Sequence, residues 1–161
     1  MTRSVESQPV IAHRQVSAAK FDHEVMALAL QEAEKSSDWG RRVGAALVLE
    51  NKVRLIAYNR HLPNEYAPYY QGDPRANFSR GVQVELGTVI HAEAGIIATA
   101  ARLGLSLTAA WLYVTTFPCP SCAKLAAFSG ITKCFYSSGY SLLDGEEILR
   151  ERGVEIIQVV L

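Results

Sequence analysis

The fold is decided by residues 110–122, which read Ala-Trp-Leu-Tyr-Val-Thr-Thr-Phe-Pro-Cys-Pro-Ser-Cys. The apolar run over 110–115 predicts a buried strand that leads directly to Cys119 and Cys122. We expect a helix over 119–129, because Gly130 provides a stop signal directly after it. Two cysteines three residues apart at the start of a helix can turn both sulfurs toward one metal ion. The helix N-terminus also favours their anionic form.

A second short segment, His91-Ala92-Glu93, lies upstream of the cysteines. His91, Cys119 and Cys122 together offer one imidazole and two thiolates, a ligand set suited to Zn²⁺. Structural zinc sites normally have four protein ligands, so a set of three leaves one position open for water and indicates a catalytic site. The order His-x-Glu followed by Pro-Cys-x-x-Cys is the signature of zinc-dependent deaminases. In that chemistry zinc-bound hydroxide adds to an amidine carbon such as C4 of cytosine, and Glu93 is expected to shuttle the protons.

The rest of the chain predicts alternating helices and strands around these two motifs. We expect a helix over 21–35, ended by the polar run Ser36-Ser37-Asp38, and a hairpin whose strands meet at a turn over 50–52. A long substrate-facing or subunit-facing loop is expected over 59–86. The order α-β-β-α-β-α-β-α-β predicts a three-layer α/β/α domain with a central five-stranded mixed sheet. The remaining elements are strands over 43–49, 53–58, 132–137 and 154–161, and helices over 91–103 and 144–152.

Length and composition fit a single domain of a cytoplasmic protein. The 161 residues, 49% of them hydrophobic, predict one domain over 21–161 preceded by a flexible arm over 1–20. Sixteen basic and sixteen acidic residues balance to zero formal charge, which counts against a nucleic-acid partner. No pattern of a signal peptide or a membrane span is present in the sequence. Three cysteines, two of them assigned to metal, allow no disulfide framework, as expected in a reducing compartment.

The chain resembles the cytidine deaminase superfamily over roughly residues 21–160, and most closely its deoxycytidylate deaminase branch. The resemblance is carried by 116–125, which reads Thr-Phe-Pro-Cys-Pro-Ser-Cys-Ala-Lys-Leu, and by shorter matches at 43–45, 58–59, 100–102, 129–131, 135–137, Tyr140 and 149–155. It implies a zinc ion on His91, Cys119 and Cys122. It also implies a homo-oligomer, from dimer to hexamer.

The resemblance further implies a set of substrate contacts. The backbone N–H of Ala92 would face the pyrimidine carbonyl, Asn59 would contact the sugar, and Tyr140 would lie near the substrate. Departures from the family pattern lie near the same surface: Gly95 replaces an asparagine, Arg60 replaces a glycine, and Arg41-Arg42 replaces uncharged residues.

Arginines are the expected phosphate readers, since a guanidinium can hold a phosphate through two hydrogen bonds. Arg42, Arg60 and Arg102 are phosphate or regulatory candidates, with Arg41 and Arg75 as further ones. For Arg102, a surface charge favoured by the helix dipole and a contact with a subunit or effector are both open. His61 is read as a solvated or locally satisfied loop histidine, with a phosphate or substrate contact as the alternative.

The sequence therefore predicts hydrolytic deamination of a small-molecule cytosine nucleotide, with dCMP to dUMP as the leading reaction. Alternatives are deamination of another nucleoside, of a free base such as cytosine or guanine, or of a tRNA adenosine. A non-catalytic module that binds zinc and nucleotide is the alternative from a different class. Zn²⁺ is the expected cofactor in each case.

Overall fold

A computed structural model describes residues 15–79, 82–83, 86–139 and 145–161. Five helices lie in this part of the chain: α1 Lys20–Ala33, α2 Ala67–Gln71, α3 Ala92–Leu103, α4 Pro120–Ser129 and α5 Gly145–Glu151. Its strands are β1 Gln15–Ser17, β2 Gly44–Leu49, β3 Lys52–Tyr58, β4 Arg60–His61, β5 Val89–Ile90, β6 Trp111–Thr116, β7 Lys133–Ser138 and β8 Glu155–Val159.

The main sheet is mixed, as predicted, and its strands run in the order β1-β8-β7-β6-β2-β3. Strands β6, β7, β8 and β1 run parallel to one another, whereas β2 is antiparallel to both β3 and β6. The sheet has six strands and not the five predicted, because Gln15–Ser17 adds an edge strand beside β8. Three residues are too few to show the period-two alternation that identifies a strand. This strand and the start of α1 occupy the end of the predicted arm, and residues 1–14 lie outside the described residues.

The central strands place alternate side chains on opposite faces of the sheet, which builds two cores and the predicted three layers. On β6, Leu112 and Val114 pack in the core under α3, α4 and α5. Tyr113 points to the other face, in the core under α1. Its ring stacks on Phe135 with centroids 4.2 Å apart, and its hydroxyl donates to the Asp22 carboxylate at 2.6 Å. Burial raises the pKa of Tyr113, so the hydroxyl stays a donor.

The β2–β3 hairpin is tighter than the sequence predicted. Glu50 and Asn51 both have positive φ, of 51° and 57°, as in a two-residue type I′ turn. Lys52 therefore already belongs to β3, paired with Leu49. At the other end of β2, a Cβ on Gly44 would lie 1.9 Å from the Ala29 carbonyl oxygen of α1. Strand β2 thus begins at a glycine because α1 crosses it in backbone contact.

Part of the predicted 59–86 loop is regular structure. Strand β4 pairs antiparallel with β5, with Arg60 opposite Ile90, and the short helix α2 follows. These elements have two to five residues, too few for periodicity to predict. The β4–β5 pair matters for function because β5 ends directly before His91. No helix within the described ranges is long and apolar enough to cross a membrane.

Candidate metal centre

The three predicted metal ligands come from the starts of two neighbouring helices. His91 is the N-cap of α3 and Cys119 the N-cap of α4, both in extended conformation with ψ of 149° and 164°. Cys122 follows in the first turn of α4, where the cysteine spacing brings its sulfur back toward Cys119. The helix starts predicted at these residues are confirmed. Their N-terminal dipoles favour negative charge on the two sulfurs.

The distances among the ligand atoms fit a zinc ion. His91 Nδ1 lies 3.5 Å from Cys119 Sγ and 3.4 Å from Cys122 Sγ. All three ligand atoms are within 4.8 Å of one another. Tetrahedral zinc, with bonds of about 2.3 Å to sulfur and about 2.0 Å to nitrogen, separates such a pair by roughly 3.5 Å. The donor set and its spacing therefore match zinc.

The titration of the two sulfurs also fits a role as metal ligands. The hydrogen bond from Cys122 lowers the pKa of the Cys119 thiol, and the same bond raises the pKa of Cys122. Two adjacent sulfurs sharing one proton behave in this way. The hydrogen bond to Cys119 raises the pKa of His91. A divalent cation replaces the shared proton and leaves both sulfurs as thiolates.

Glu93 is a buried carboxyl beside this cluster. It lies in the first turn of α3 and is only 3% exposed. Burial raises the pKa of the Glu93 carboxyl. A carboxyl shielded from bulk water next to a metal centre can accept a proton and return it. Ala92, the residue before it, is fully buried at the start of α3.

Asn59 lies next to the metal centre, with its side chain bonded inside the chain. Its Oδ1 accepts from the backbone N–H of Val43 at 2.7 Å, and Ser36 Oγ lies at the same distance. Its Nδ2 donates to Asp38 Oδ2 at 3.0 Å and to the Arg41 carbonyl at 2.7 Å. The amide of Asn59 thus holds the loop formed by residues 36–43. Its contact with a substrate sugar stays a prediction.

The pairing of β4 with β5 fixes where this loop lies. Arg60, the residue after Asn59, is opposite Ile90, the residue before His91. The 36–43 loop is therefore anchored beside the metal centre. Sequence reasoning missed Ser36 and Asp38 as parts of the site, because a polar run after a helix is also the usual sign of a helix end.

The arginines predicted to bind phosphate do not point to one common site. Arg42 is exposed, with Nη1 at 3.5 Å from the Glu34 carbonyl. The Arg60 guanidinium lies 5.7 Å from the Tyr58 ring centroid. Arg75 donates to the Val82 carbonyl at 3.0 Å and is used inside its own segment.

Two further predicted residues do not join the metal centre in the described structure. Arg102 is in the last turn of α3, eleven positions after His91, so the helix separates the two by about 16 Å. Tyr140 lies outside the described residues. The third cysteine, Cys134, is fully buried in β7, and burial raises its thiol pKa, as expected for an inert core residue.

Comparison with known proteins places these motifs in one family. Residues 19–138 match the family described as "Cytidine and deoxycytidylate deaminase zinc-binding region". A Drosophila melanogaster protein named "Probable deoxycytidylate deaminase" is 31% identical over 131 residues, covering 79% of this chain and 64% of that protein. The deoxycytidylate deaminase of Enterobacteria phage T2 is 46% identical over 72 residues, covering 44% of this chain and 38% of that protein. The chain thus spans less than two thirds of the length of these relatives.

A solved structure supports the fold independently of close sequence identity. The dCMP deaminase of the cyanophage S-TIM5 superposes with a TM-score of 0.68 at 22% identity, covering 88% of this chain and 99% of that one.

Proposed function

We propose that this chain, which belongs to the cytidine and deoxycytidylate deaminase zinc-binding family, is a zinc-dependent hydrolase that converts dCMP to dUMP and ammonia. The observation that carries the proposal is the cluster of His91, Cys119 and Cys122, with the buried Glu93 two residues from the histidine ligand. The cluster has three protein ligands, as catalytic zinc sites do. The relatives and the fold neighbour named above are deoxycytidylate deaminases, which supports dCMP as the substrate.

His91, Cys119 and Cys122 hold the metal. Bound zinc supplies Lewis acidity, which makes water a competent nucleophile near neutral pH. Glu93 takes the proton from the attacking water and delivers it to N3 of the cytosine ring. The water oxygen bonds to C4, its second proton passes through the same carboxylate to the amino group, and the C4–N bond breaks to leave a C4 carbonyl. Water and the cytosine ring thus become uracil and ammonia, with no other reactant.

The protein also orients the base. The N-terminus of α3 presents backbone N–H groups, including that of Ala92, which suit the pyrimidine carbonyl. Of the candidate phosphate readers, Arg60 is the best supported. It follows Asn59 directly and pairs with Ile90, whereas Arg102 lies at the far end of α3. We assign the sugar contact to the Asn59 region and the phosphate contact to Arg60.

The proposal extends to the state of the protein. A single catalytic domain over 21–161 accounts for both cores of the sheet. A homo-oligomer is supported by apolar side chains on the outer surface of α4, where Phe128 is 77% exposed and Leu125 is 45% exposed. A cytoplasmic location is supported by the ligand thiols, which must stay reduced to bind zinc.

The deciding experiment is ammonia release by the purified, zinc-loaded protein. The compounds are cytosine, cytidine, deoxycytidine, CMP, dCMP, dCTP, adenosine and guanine. Turnover concentrated on dCMP supports the proposal and a phosphate contact. Turnover of deoxycytidine equal to that of dCMP contradicts the proposed phosphate contact. No ammonia from any cytosine compound, with zinc bound stoichiometrically, contradicts the proposed activity.

A further inference from the structure

His61 is a buried imidazole that the proposed reaction does not use. It is 1% exposed and lies on β4, opposite Val89 of β5, two residues before His91. Its Nε2 is buried and makes no hydrogen bond within 3.5 Å. A buried polar atom without a close partner is uncommon, so its surroundings call for an explanation.

Ser37 lies on one side of the ring. The backbone N–H of His61 donates to Ser37 Oγ at 3.1 Å, and the same oxygen is 3.3 Å from His61 Nδ1. Because the serine oxygen accepts from the backbone, its own hydrogen is available for Nδ1. With the hydroxyl donating to Nδ1, the neutral ring would carry its hydrogen on Nε2, the nitrogen on the Asp73 side.

Asp73 lies on the other side. His61 Nε2 is 3.7 Å from Asp73 Oδ2, and the aspartate side chain is 19% exposed. The second carboxylate oxygen of Asp73 accepts from the backbone N–H of Arg75 at 2.8 Å. The Nε2 hydrogen thus faces a carboxylate that organises the next turn of the chain.

The segment formed by residues 73–79 has few other anchors. Among the described residues, its remaining hydrogen bonds all stay within residues 73–82. The contact between Asp73 and His61 is therefore what ties this segment to β4. Ser37 ties the 36–43 loop to the same ring, and that loop is also bound to Asn59 beside His91.

We propose that His61 is a positioning residue that holds the 36–43 loop and the 73–79 segment together beside the candidate active site. The imidazole connects Ser37 and Asp73, which are 36 residues apart in the chain, at the strand that leads into His91. The inference rests on the proposed function for its effect on turnover. A serine, histidine and aspartate in this order also occur in hydrolytic triads. Here the serine oxygen is occupied by the backbone of β4 and the ring is closed to substrate, so the three residues join segments and do not attack a substrate.

Three substitutions at His61 separate its two contacts. His61→Leu removes both ring contacts at similar side-chain size, while the backbone N–H of residue 61 still donates to Ser37 Oγ. His61→Gln can place an N–H near the Nε2 position and so keeps the Asp73 side, whereas His61→Asn keeps a polar atom near the Nδ1 position and so keeps the Ser37 side. Asp73→Asn weakens the Asp73 contact without touching the ring. His23→Leu is the matched control, because the His23 ring lies on α1 and hydrogen-bonds the Ser17 carbonyl at 3.2 Å, away from the two segments that His61 contacts.

The first readout is limited trypsin cleavage after Arg75 in the native protein, which needs no substrate. Losing the anchor of a local segment raises the rate of its opening, so we expect His61→Leu and Asp73→Asn to be cleaved at least about 10-fold faster than wild type. His61→Gln should return toward the wild-type rate, and His23→Leu should match it. The second readout is kinetics with dCMP: KM should rise about 10-fold in His61→Leu, with kcat within about threefold and zinc content unchanged.

Wild-type cleavage and wild-type KM in His61→Leu would overturn the inference. A fall in kcat and melting temperature with no rescue by Gln or Asn would overturn it too, because it would show a role in general stability only. If His61→Leu does not fold, the cleavage rate and KM of Asp73→Asn and His61→Gln test the inference instead. If the wild-type protein does not turn over dCMP, the proposed function fails, while the cleavage rates still decide whether His61 holds the segment.

Discussion

The metal half and the substrate half of the candidate site are built in different ways. The metal half consists of His91, Glu93, Cys119 and Cys122, and its geometry comes from two short motifs that each begin a helix. The substrate half is the 36–43 loop with Asn59, and it is assembled by hydrogen bonds between residues about twenty positions apart. In the metal half each ligand atom is required, so the loss of one should abolish metal binding. In the substrate half several hydrogen bonds share the work of holding the loop, so the loss of one should have a graded effect.

The largest effect is expected from Cys119→Ala. Removing one of three ligands should abolish stoichiometric zinc binding and reduce dCMP turnover to background, since metal affinity depends on the complete donor set. Zinc content by elemental analysis and ammonia release measure the two outcomes. Cys134→Ala is the matched control: it removes the fully buried cysteine of β7 and should retain zinc and activity. Zinc at full occupancy in Cys119→Ala would show that the metal centre is wrongly assigned.

Glu93→Gln should separate chemistry from metal binding within the same half. The amide keeps the shape of the buried side chain but cannot accept the proton of water, and such a loss typically costs about 10²–10⁴-fold in turnover. Zinc content should equal that of wild type. Turnover within a few-fold of wild type would contradict the assignment of Glu93 as the proton shuttle.

Asn59→Ala tests the substrate half. The change leaves the N–H of Val43 and the carbonyl of Arg41 without their amide partner, whereas the Ser36 hydroxyl keeps the backbone carbonyl of residue 59. Each buried group left unpaired costs about 1–3 kcal/mol. We expect the melting temperature to fall by about 5 °C and kcat/KM by roughly 10–100-fold, with zinc retained.

Asn64→Ala is the control for this substitution, because the exposed Asn64 side chain only accepts from the Tyr66 backbone. If Asn59→Ala lost zinc as Cys119→Ala does, the two halves would not be separable.

The smallest effect is expected from Arg102→Ala. Its position at the end of α3 is worth about 0.3–1 kcal/mol through the helix dipole, so kcat/KM should stay within about twofold. Arg60→Ala is its comparison, and should raise KM for dCMP by about 10-fold if the guanidinium holds the phosphate. A smaller particle in Arg102→Ala, measured by analytical ultracentrifugation, would instead assign this arginine to a subunit interface.

Much of the fold could be predicted because the long elements carry strong periodicity. Helices α1, α3 and α4 and strands β2, β3, β6, β7 and β8 all occur where the apolar patterns indicated. Strands β1, β4 and β5 and helix α2 were missed, since strands of two or three residues and a helix of five contain less than two periods of their own pattern. The turn at Glu50 and Asn51 was placed correctly, but its length of two residues depends on backbone angles that Glu50 adopts against its ordinary preference.

The metal half was predictable from sequence alone because its ligands lie within a few residues of helix starts. A Cys-x-x-Cys at a helix N-terminus fixes the relative position of both sulfurs through local backbone geometry, and His91 needed only to open a second helix nearby. Tertiary structure alone decided that Asn59 is a structural centre, that Ser36 and Asp38 belong beside the site, and that His61 is buried between Ser37 and Asp73. Those contacts join residues far apart in the chain, and the sequence spacing of such residues does not indicate which side chains will hydrogen-bond. Local order along the chain determined the metal ligands, and packing between distant segments determined the surface proposed to receive the substrate.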